Sequence, residues 1–288
     1  MSQTEPAAPG ELLFGRYLVF EQVHEGGMSR VFRARDTQSD RLVALKRPAR
    51  DDPSALARFF DEARFLEELS HPAVVRLLAH GGQRFDDAHL IMEWLAGDTL
   101  EQRLQAGPLS LLQAVTVARR AADALSAVHR ANVVHRDLKP TNLILCDGLP
   151  ARTTLIDFGI ARRAAARGLS VHASFAGGTW AYMSPEQAMG SAELGARADV
   201  YALGCVLFEA ITGQPAFPAD RARAVLAKVW QPPPKLSDFC VGVAEPLHVL
   251  LAKALATDPS QRQGDGAILS SELHALGKLP DEVAVRRG

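Results

Sequence analysis

The feature that most constrains this chain is the polar stretch from His135 to Asn142, which is followed after a short interval by Asp157. Asp137 could accept a proton from a hydroxyl group, and Asn142, five residues later, is a suitable ligand for a metal ion. Asp157 is a second candidate metal ligand. Singly, an aspartate or an asparagine in a loop is more often a turn former or a helix cap. Because all three occur in this order and spacing, they indicate a site that transfers phosphoryl groups.

Short apolar segments flank this stretch and predict strands that hold it. Val133-Val134 precede it and Leu143–Leu145 follow it. Thr154–Ile156 then leads into Asp157. Hairpin-like strands would carry the aspartates toward one another, and loops on a rigid scaffold commonly carry catalytic residues.

Composition excludes several classes of protein. The chain has 288 residues, 47% of them hydrophobic and 23% charged, which is enough for a full core in one large or two small domains. A formal net charge of −1 gives no support to nucleic-acid binding through bulk charge. The three cysteines are far apart and form no Cys-x-x-Cys pair, so neither a disulfide framework nor a zinc site is indicated. A reducing cytoplasm is the expected location.

No segment resembles a secretory signal or a membrane anchor. Met1–Glu11 is polar and lacks an apolar core, and the longest apolar run, Val200–Phe208, is too short to span a bilayer. We therefore expect no membrane insertion of this chain. Either a naturally soluble protein or the excised part of a longer one is consistent with the sequence.

Two unequal parts are predicted from the residue patterns. From Leu12 to about Leu95, short strand-like segments alternate with Gly, Asp and Ser turns. One helix interrupts them, with a start signal at Asp51–Ser54 and an end at His71-Pro72. Helices dominate after Gly97. The clearest are expected at Leu111–Arg130, Ala198–Thr212 and Pro246–Ala256. The prediction is an α+β fold with domains at 12–95 and 96–277, between tails at 1–11 and 278–288.

Features of the first part suggest contacts with a nucleotide. Gly26 and Gly27 lie between two strands, where a tight hairpin turn and a phosphate-binding lid are equally good interpretations. Lys46 ends an apolar strand, and a lysine in this position is usually solvated. A buried Lys46 would need a partner, and Glu62 of the following helix is the candidate. Such a pair would direct the ammonium group toward the α- and β-phosphates.

Together these motifs resemble those of the bacterial, Hanks-type serine/threonine protein kinases, over nearly all of the chain from Leu12 to about Leu276. The resemblance implies a bilobal fold, with a small β-rich N-lobe containing one key helix, a larger and mainly helical C-lobe, and an ATP site in the cleft. The matching segments are the glycine-rich loop (His24–Val31), the strand lysine (Val43–Lys46), the catalytic loop (His135–Asn142), and the two ends of the activation segment (Asp157–Gly159 and Ser184–Glu186).

The resemblance also implies roles for the catalytic groups. Asp137 would orient the substrate hydroxyl and accept its proton, while Lys139 would neutralise charge on the moving γ-phosphoryl group. Lys46 and Glu62 would complete the catalytic set.

ATP and Mg²⁺ are the implied cofactors, with Mn²⁺ as an alternative cation. Asn142 and Asp157 would hold the metal. The implied nucleotide contacts are Val23, Gly26, Gly27, Val31, Ala44, Lys46, Met92, Glu93, Leu95 and Ile144, with Met92 as the gatekeeper residue and Glu93–Leu95 in the hinge.

Three further residues have an implied structural role. Asp199, at the start of an apolar helix, would accept hydrogen bonds from the backbone of the catalytic loop; a simple helix cap is the alternative, and both can hold together. Glu186 would pair with Arg262 in a structural clamp.

Regulation is suggested by the hydroxyl groups between Ile160 and Thr179. Ser170, Ser174 and Thr179 are the candidates for phosphorylation, and we expect autophosphorylation at Ser174 or Ser170 in particular. A serine-containing mobile loop is an equally weighted alternative. Thr179 itself would lie near the acceptor residue.

The resemblance is imperfect in the glycine-rich loop. His24 replaces the first of the usual glycines and Ser29 the third. Because glycine permits close backbone approach, these changes would stiffen the lid and weaken nucleotide binding or alter lid closure, without removing a catalytic group.

The leading interpretation is an active kinase that phosphorylates Ser and Thr residues of proteins. A pseudokinase that serves as a binding module is the second, favoured only by the altered lid. A small-molecule kinase of the aminoglycoside or choline type is the third, and Gly178-Thr179 and Ser184–Glu186 argue against it. A P-loop NTPase is disfavoured because no Gly-x-x-x-x-Gly-Lys-Ser/Thr string occurs. We expect protein substrates, a regulatory partner protein as a further hypothesis, and a monomer or transient dimer.

Overall fold

The computed structural model describes residues 8–25, 29–49, 51–158, 179–191, 193–277 and 284–285. These residues divide into two compact units. The first unit contains 8–25, 29–49, 51–71 and 75–96, and the second contains the remainder. Strands dominate the first unit and helices dominate the second, as the residue patterns predict.

A six-stranded antiparallel sheet forms the first unit, in the order β1-β2-β3-β4-β6-β5. Phe32 and Leu45 are cross-strand partners, as are Ala34 and Val43, and all four are buried. This alternation puts one face of the sheet in the core. The strands are β1 (Leu12–Leu13), β2 (Tyr17–Glu25), β3 (Ser29–Asp36), β4 (Arg41–Pro48), β5 (Leu77–Gly81) and β6 (His89–Glu93).

The single helix of this unit, α1 (Pro53–Glu68), begins and ends close to its predicted limits. Its apolar face packs Phe59 and Ala63 against Ala88 and Leu90. Since Leu90 belongs to β6, this packing fixes α1 beside the strand that neighbours β4.

The second unit contains eight helices and a small sheet in the order β7-β8-β9 within the described residues. The helices are α2 (Leu100–Leu104), α3 (Leu111–Arg130), α4 (Pro185–Ala188), α5 (Ala196–Thr212), α6 (Arg221–Trp230), α7 (Leu236–Phe239), α8 (Glu245–Ala254) and α9 (Gly266–His274). The strands are β7 (Gly97–Thr99), β8 (Leu143–Cys146) and β9 (Thr153–Leu155), and a separate pair joins β10 (Cys240–Val241) to β11 (Ala284–Val285).

Helix α5 is the centre of the second unit. It is buried on almost every side, including the charged residue Asp199, which is 1% exposed. An apolar helix buried all round is a core helix. In the described part of the chain, no helix combines the length and the apolarity needed to cross a membrane.

Helices α3 and α9 approach each other closely at Gly266. A Cβ atom added there would lie 2.6 Å from the backbone nitrogen of Ser126, so only glycine fits. The same contact lets the Gly266 N–H reach the ring of His129, at the end of α3, at 2.9 Å.

The strands around the polar stretch agree only in part with the prediction. Leu143–Leu145 lies in β8, and Thr154 and Leu155 lie in β9. The strand expected at Val133-Val134 is wrong. The Val133 N–H donates to the Val128 carbonyl at 3.2 Å, so this segment closes the end of α3 instead of pairing with a strand.

The turn between β3 and β4 is organised by the buried carboxylate of Asp36. Arg16 binds it through two nitrogens, at 2.7 and 2.8 Å. The Ser39 hydroxyl donates to it at 2.6 Å and the Gln38 N–H at 3.1 Å. The Arg16 hydrogen bonds, followed by the contributions of Ser39 and Gln38, hold the pKa of Asp36 well below its usual range against the opposing effect of burial.

We expect Asp36→Asn to weaken the acid sensitivity of the fold. As the pH falls below about 4, Asp36 is protonated in the unfolded chain but stays ionised in the folded protein, because its pKa is lower there. This carboxylate therefore contributes stability at neutral pH that is lost toward low pH. The substitution should lower stability at pH 7 and reduce the further loss between pH 7 and pH 3, measured as urea midpoints. Asp40→Asn, at an exposed position in the same turn, is the control. An unchanged pH dependence in Asp36→Asn would contradict this account.

Candidate active site

Lys46 and Glu62 form a buried ion pair in the first unit. The Lys46 Nζ atom lies 2.8 Å from each carboxylate oxygen of Glu62. Both side chains are 6% exposed. A buried charge is destabilising without a partner, and the symmetric contact satisfies both groups. The sheet and α1 thus bring together the two residues that the sequence indicates as partners.

Four of the expected nucleotide contacts of this unit share one face of the sheet. Val31 of β3 is the register partner of Lys46 in β4. Ala44, two residues before Lys46, is the register partner of Met92 in β6. Register partners and residues two apart in a strand lie on the same side of a sheet. These four side chains therefore form one continuous patch.

Other expected contacts lie at the ends of strands. Glu93 ends β6 and exchanges hydrogen bonds with Arg76, whose N–H donates to the Glu93 side chain at 2.9 Å and whose carbonyl accepts from the Glu93 N–H at 3.0 Å. Leu95 follows and is half-buried. Ile144 belongs to the second unit, where it pairs with Thr154 between β8 and β9.

Part of the expected lid is described. His24 lies in β2 opposite Val31, next to a register shift between Gln22 and His24. Val23 sits at this irregularity and is 44% exposed. Gly26 and Gly27, which were expected to approach the phosphates, lie outside the described residues.

In the second unit, Arg136 holds an unusual backbone conformation. Its φ of 65° is in the left-handed region, which costs a non-glycine residue about 1 to 2 kcal/mol. Its N–H donates to Asp199 Oδ1 at 2.7 Å. Its carbonyl accepts a hydrogen bond from Gln187 Nε2 at 2.6 Å. The strained peptide directly before Asp137 is therefore held from both sides.

Asp199 is the anchor of this loop. One oxygen accepts from the Arg136 N–H, and the other accepts from the His135 N–H at 2.7 Å and from His129 Nε2 at 2.9 Å. Because His129 Nδ1 accepts from the Gly266 N–H, its Nε2 must carry the proton. A carboxylate in the first turn of α5 thus connects α3 and α9 to the loop that contains His135 and Arg136.

Asp137 has one engaged and one open carboxylate oxygen. Oδ2 lies 3.1 Å from Lys139 Nζ. Oδ1 is buried and has no hydrogen-bond partner among the described residues. A buried acceptor without a donor is rare in folded proteins and is energetically unfavourable. Oδ1 of Asp137 is therefore available to accept a hydrogen bond from a hydroxyl group.

Asn142 and Asp157 fit a site for Mg²⁺. Asn142 is buried, and its Nδ2 donates to the Asp137 carbonyl at 2.8 Å. Within the described residues, its Oδ1 accepts only a long contact of 3.5 Å from the Thr141 hydroxyl, so a lone pair remains for a cation. The Ile156 N–H donates to the Asn142 carbonyl at 3.0 Å, which fixes the residue before Asp157 beside it. Asp157 is exposed and left-handed, with φ at 56°. Carboxylate and amide oxygens are the ligands that Mg²⁺ prefers.

Phe158 anchors this second aspartate. Its side chain is 1% exposed and packs edge-on against His135, with ring centroids 5.2 Å apart. The His135 ring also accepts from the Asp137 N–H at 3.3 Å and lies 3.3 Å from the Ile156 carbonyl. His135 thus links the backbone on both sides of the candidate site.

Glu186 and Arg262 form the expected pair, with Nη1 and Nη2 at 2.8 and 2.9 Å from the two carboxylate oxygens. The Arg262 side chain is fully buried. Its remaining donors reach the carbonyls of Ala256, Arg197 and Thr257. A bidentate pair with every donor used is geometrically specific.

The segment before Glu186 carries a second buried pair. The Tyr182 hydroxyl donates to Glu209 Oε2 at 2.6 Å. Burial raises the pKa of both groups above their usual values. This contact ties the segment to helix α5.

The sequence interpretation missed three residues that hold the site. Gln187 and Ser184 form a capping box, which the spacing could have revealed, but the bond to Arg136 could not be read from it. His129 lies in the last turn of α3, where basic residues are common, so its sequence position gives no sign of a special role. Lys228 of α6 is 1% exposed, although a lysine in an amphipathic helix is normally solvated.

Some expectations lie outside the described residues. Ser170, Ser174 and Gly159 belong to this group. The backbone of Thr179 begins a short 3-10 turn, Thr179–Ala181.

We expect Asp199→Ala to destabilise the second unit by about 3 kcal/mol, because it leaves two buried backbone donors and His129 without their acceptor. Chemical unfolding followed by circular dichroism measures this change. Asp98→Ala, at an exposed position in β7, should change stability by less than about 0.5 kcal/mol. A loss in Asp199→Ala no larger than in Asp98→Ala would show that Asp199 is not the anchor.

Comparisons with known proteins agree with this geometry. A family model described as protein kinase domain matches residues 17–273. The serine/threonine-protein kinase PknB of Mycolicibacterium smegmatis is 36% identical over 280 residues, covering 93% of this chain and 44% of PknB. The serine/threonine-protein kinase PknD of Mycobacterium tuberculosis is 38% identical over 271 residues, covering 90% of this chain and 40% of PknD. The chain thus spans about two fifths of the length of these curated relatives.

A solved structure supports the fold. The crystal structure of the Mycobacterium tuberculosis PknI kinase domain matches with a TM-score of 0.70 and 24% identity, over 94% of this chain and 99% of that one. The predicted α+β protein kinase fold is confirmed. The chain belongs to the protein kinase family, among its bacterial, Hanks-type serine/threonine members.

Proposed function

We propose that this chain transfers the γ-phosphoryl group of ATP to Ser and Thr hydroxyls of proteins. The observation that carries the proposal is the open, buried Oδ1 atom of Asp137, in a loop whose strained backbone is held by Asp199 and Gln187. An acceptor fixed in this way is suited to orient a hydroxyl group and to take its proton.

The chain's cations would balance the charge that moves during transfer. Lys139 lies next to Asp137 and would contact the γ-phosphoryl group. Lys46, oriented by Glu62, would contact the α- and β-phosphates. Catalysis by these groups is positioning and electrostatic stabilisation, which is the mode typical of phosphoryl transfer.

Asn142 and Asp157 would hold the divalent cation, with Mg²⁺ as the leading candidate and Mn²⁺ as the alternative. When bound, the cation neutralises charge on the phosphate oxygens of the nucleotide. The patch of Val31, Ala44 and Met92 would contact the base, together with Val23, Glu93, Leu95 and Ile144. Gly26 and Gly27 would cover the phosphates.

The proposal extends to organisation and location. We infer an N-lobe at 12–95 and a C-lobe at 96–277, with Asp199 and the Glu186–Arg262 clamp as structural supports. The three cysteines are free and buried, which supports a reducing cytoplasmic location. We also propose that the chain is a monomer or a transient dimer and that a regulatory partner protein binds it.

A pseudokinase is the second candidate function. His24 lies in β2 opposite Val31, where a side chain stands in place of the usual glycine. Nucleotide binding without turnover would support this candidate. A small-molecule kinase receives less support, because Ser184–Glu186 forms a capped and clamped element that suits a peptide acceptor.

Asp137→Asn should reduce phosphoryl transfer from Mg²⁺-ATP to a generic Ser/Thr protein by about 10²- to 10⁴-fold, the usual contribution of a positioned acid or base. The measurement is radiolabelled γ-phosphate transfer. ATP affinity, measured separately with a fluorescent analogue, should change little.

Asp147→Asn is the matched control, since Asp147 is an exposed aspartate at the end of β8 that pairs with Arg152. It should transfer phosphate at the wild-type rate. ATP binding by a wild-type protein that transfers no phosphate would favour the pseudokinase and would make His24→Gly the next variant.

Autophosphorylation is expected at Ser174 or Ser170, with Thr179 as the third candidate, because a phosphate would order the activation segment through arginine contacts. Mass spectrometry before and after incubation with Mg²⁺-ATP should find phosphate between residues 160 and 179. It should be absent from Asp137→Asn. A fully active wild-type enzyme without phosphate in this segment would refute the expectation.

A further inference from the structure

A buried lysine contacts the segment that leads into the Glu186–Arg262 clamp. Lys228 of α6 donates from Nζ to the carbonyl of Ala181 at 2.8 Å and to the carbonyl of Met183 at 2.6 Å. The residue is 1% exposed. Lysine is almost never fully buried unless it is partnered, and here both hydrogen-bond acceptors are backbone atoms two residues apart.

The surroundings of Lys228 favour a cation held in place. Its Nζ lies 4.5 Å from the ring centroid of Phe217 and 5.0 Å from that of Tyr201. Aromatic faces attract cations, most strongly where water is absent. Burial lowers the pKa of Lys228 to about 8, because removing water from the ammonium disfavours its charged form. Carbonyls and rings therefore replace the water that the ammonium has lost.

Helix α6 also packs against the side chains of the same segment. Trp180, Met183 and Ala188 form an apolar cluster with Ala224 of α6. The guanidinium of Arg221 lies 5.1 Å from the Trp180 ring centroid. Helix α6 therefore covers the side chains of this segment, and Lys228 of the same helix binds its backbone.

Lys228 and the clamp are connected through Thr257. The Thr257 hydroxyl donates to the Lys228 carbonyl at 3.3 Å, and the Thr257 carbonyl accepts from Arg262 Nη2 at 2.9 Å. Arg262 binds Glu186, immediately after Pro185. Lys228 therefore holds the docking segment, residues 180–185, at its centre, and Arg262 holds the residue directly after it, Glu186.

Both carbonyls that Lys228 binds belong to the docking segment, between the Thr179 position and Ser184-Pro185-Glu186. By the family resemblance, Gly178-Thr179 and Ser184–Glu186, which flank these carbonyls in the sequence, are the elements that indicate a peptide acceptor and not a small-molecule acceptor. The location of the contacts therefore connects Lys228 to the protein substrate.

We propose that Lys228 is a positioning residue for the protein substrate, which holds the Ala181 and Met183 carbonyls and thereby fixes the shape of the docking segment. The proposal rests on the proposed kinase function. Lys228 touches neither the nucleotide nor the phosphoryl group in this proposal, so it acts on substrate affinity and not on the transfer step.

The test is Lys228→Met, which keeps the length of the side chain and removes its donors. The KM for a Ser/Thr peptide should rise about tenfold, since hydrogen bonds from a charged donor to two carbonyls are lost. The kcat and the KM for ATP should stay within about twofold of wild type. Amide hydrogen exchange at 181–184 should accelerate, which reports the loosened segment without any turnover.

Lys253→Met is the matched control. Lys253 lies on α8 of the same unit, and its ammonium group pairs with Glu272 of α9 instead of with the docking segment. This variant should lose some stability and keep the wild-type peptide KM. A rise in peptide KM equal to that of Lys228→Met would reduce the effect to general destabilisation and overturn the proposal.

Chemical rescue tests whether the hydrogen bonds of Lys228 cause the effect on the peptide KM. In Lys228→Ala, added propylammonium should restore the peptide KM, whereas propyltrimethylammonium, which has no N–H donor, should not. Rescue by both ions, or by neither, would contradict the hydrogen-bond mechanism. Lys228→Gln, which keeps an N–H donor, is the milder variant; if all three Lys228 variants fail to fold, Lys228 serves stability alone.

Failure of the inference can be told from failure of the proposed function. If wild type phosphorylates the peptide and Lys228→Met does so with unchanged KM, the inference is wrong and the kinase function stands. If wild type transfers no phosphate to any peptide, both are wrong.

Discussion

The carboxylate of Asp199 is the contact on which the candidate site depends. It lies in the first turn of the mainly apolar helix α5 and accepts hydrogen bonds from two successive backbone N–H groups and from His129. Those bonds hold Arg136 in a left-handed conformation that it would not adopt alone. The orientation of Asp137 follows from this peptide. A strained loop that is fixed before substrate arrives does not have to reorganise during the reaction, which is the basis of electrostatic preorganisation.

Buried charged side chains hold three parts of the structure around the candidate site. Lys46 with Glu62 fixes a cation on the sheet, Arg262 fixes Glu186 directly after the docking segment, and Lys228 fixes the backbone of that segment. A buried ion pair is weak as a source of stability, because desolvation offsets most of the attraction. Its geometry, however, is specific. The repeated use of such groups around the candidate site is consistent with selection for position over stability.

Local patterns in the sequence were sufficient to predict much of the fold. The alternation of β2 to β4, the start and stop signals of α1 and the apolar run of α5 depend on neighbours in the chain, and the structure contains all of them. Val133-Val134 was misassigned because apolar, β-branched residues also occur where a helix ends. The hydrogen bond from Val133 to Val128 decides that case, and no local pattern encodes it.

Local sequence patterns predicted fewer of the contacts in the candidate site. The need of a buried Lys46 for a partner on the following helix indicated the pair Lys46–Glu62. The pair Glu186–Arg262 was indicated by a family resemblance, which carries information about distant contacts. Gln187, His129 and Lys228 were missed, since each acts through a backbone atom far away in the sequence. Every residue has a backbone carbonyl, and every residue except proline has a backbone N–H, so the residue type does not mark which of these groups a distant side chain will bind.

The most direct test of this account is a crystal structure of the chain with Mg²⁺ and a non-hydrolysable ATP analogue. The account predicts a cation held by Asn142 Oδ1 and the Asp157 carboxylate at about 2.1 Å, the usual Mg²⁺ to oxygen distance. It also predicts that Asp199 keeps its bonds to the His135 and Arg136 backbone. A cation and phosphates bound away from both Asn142 and Asp157 would contradict the assignment of the site.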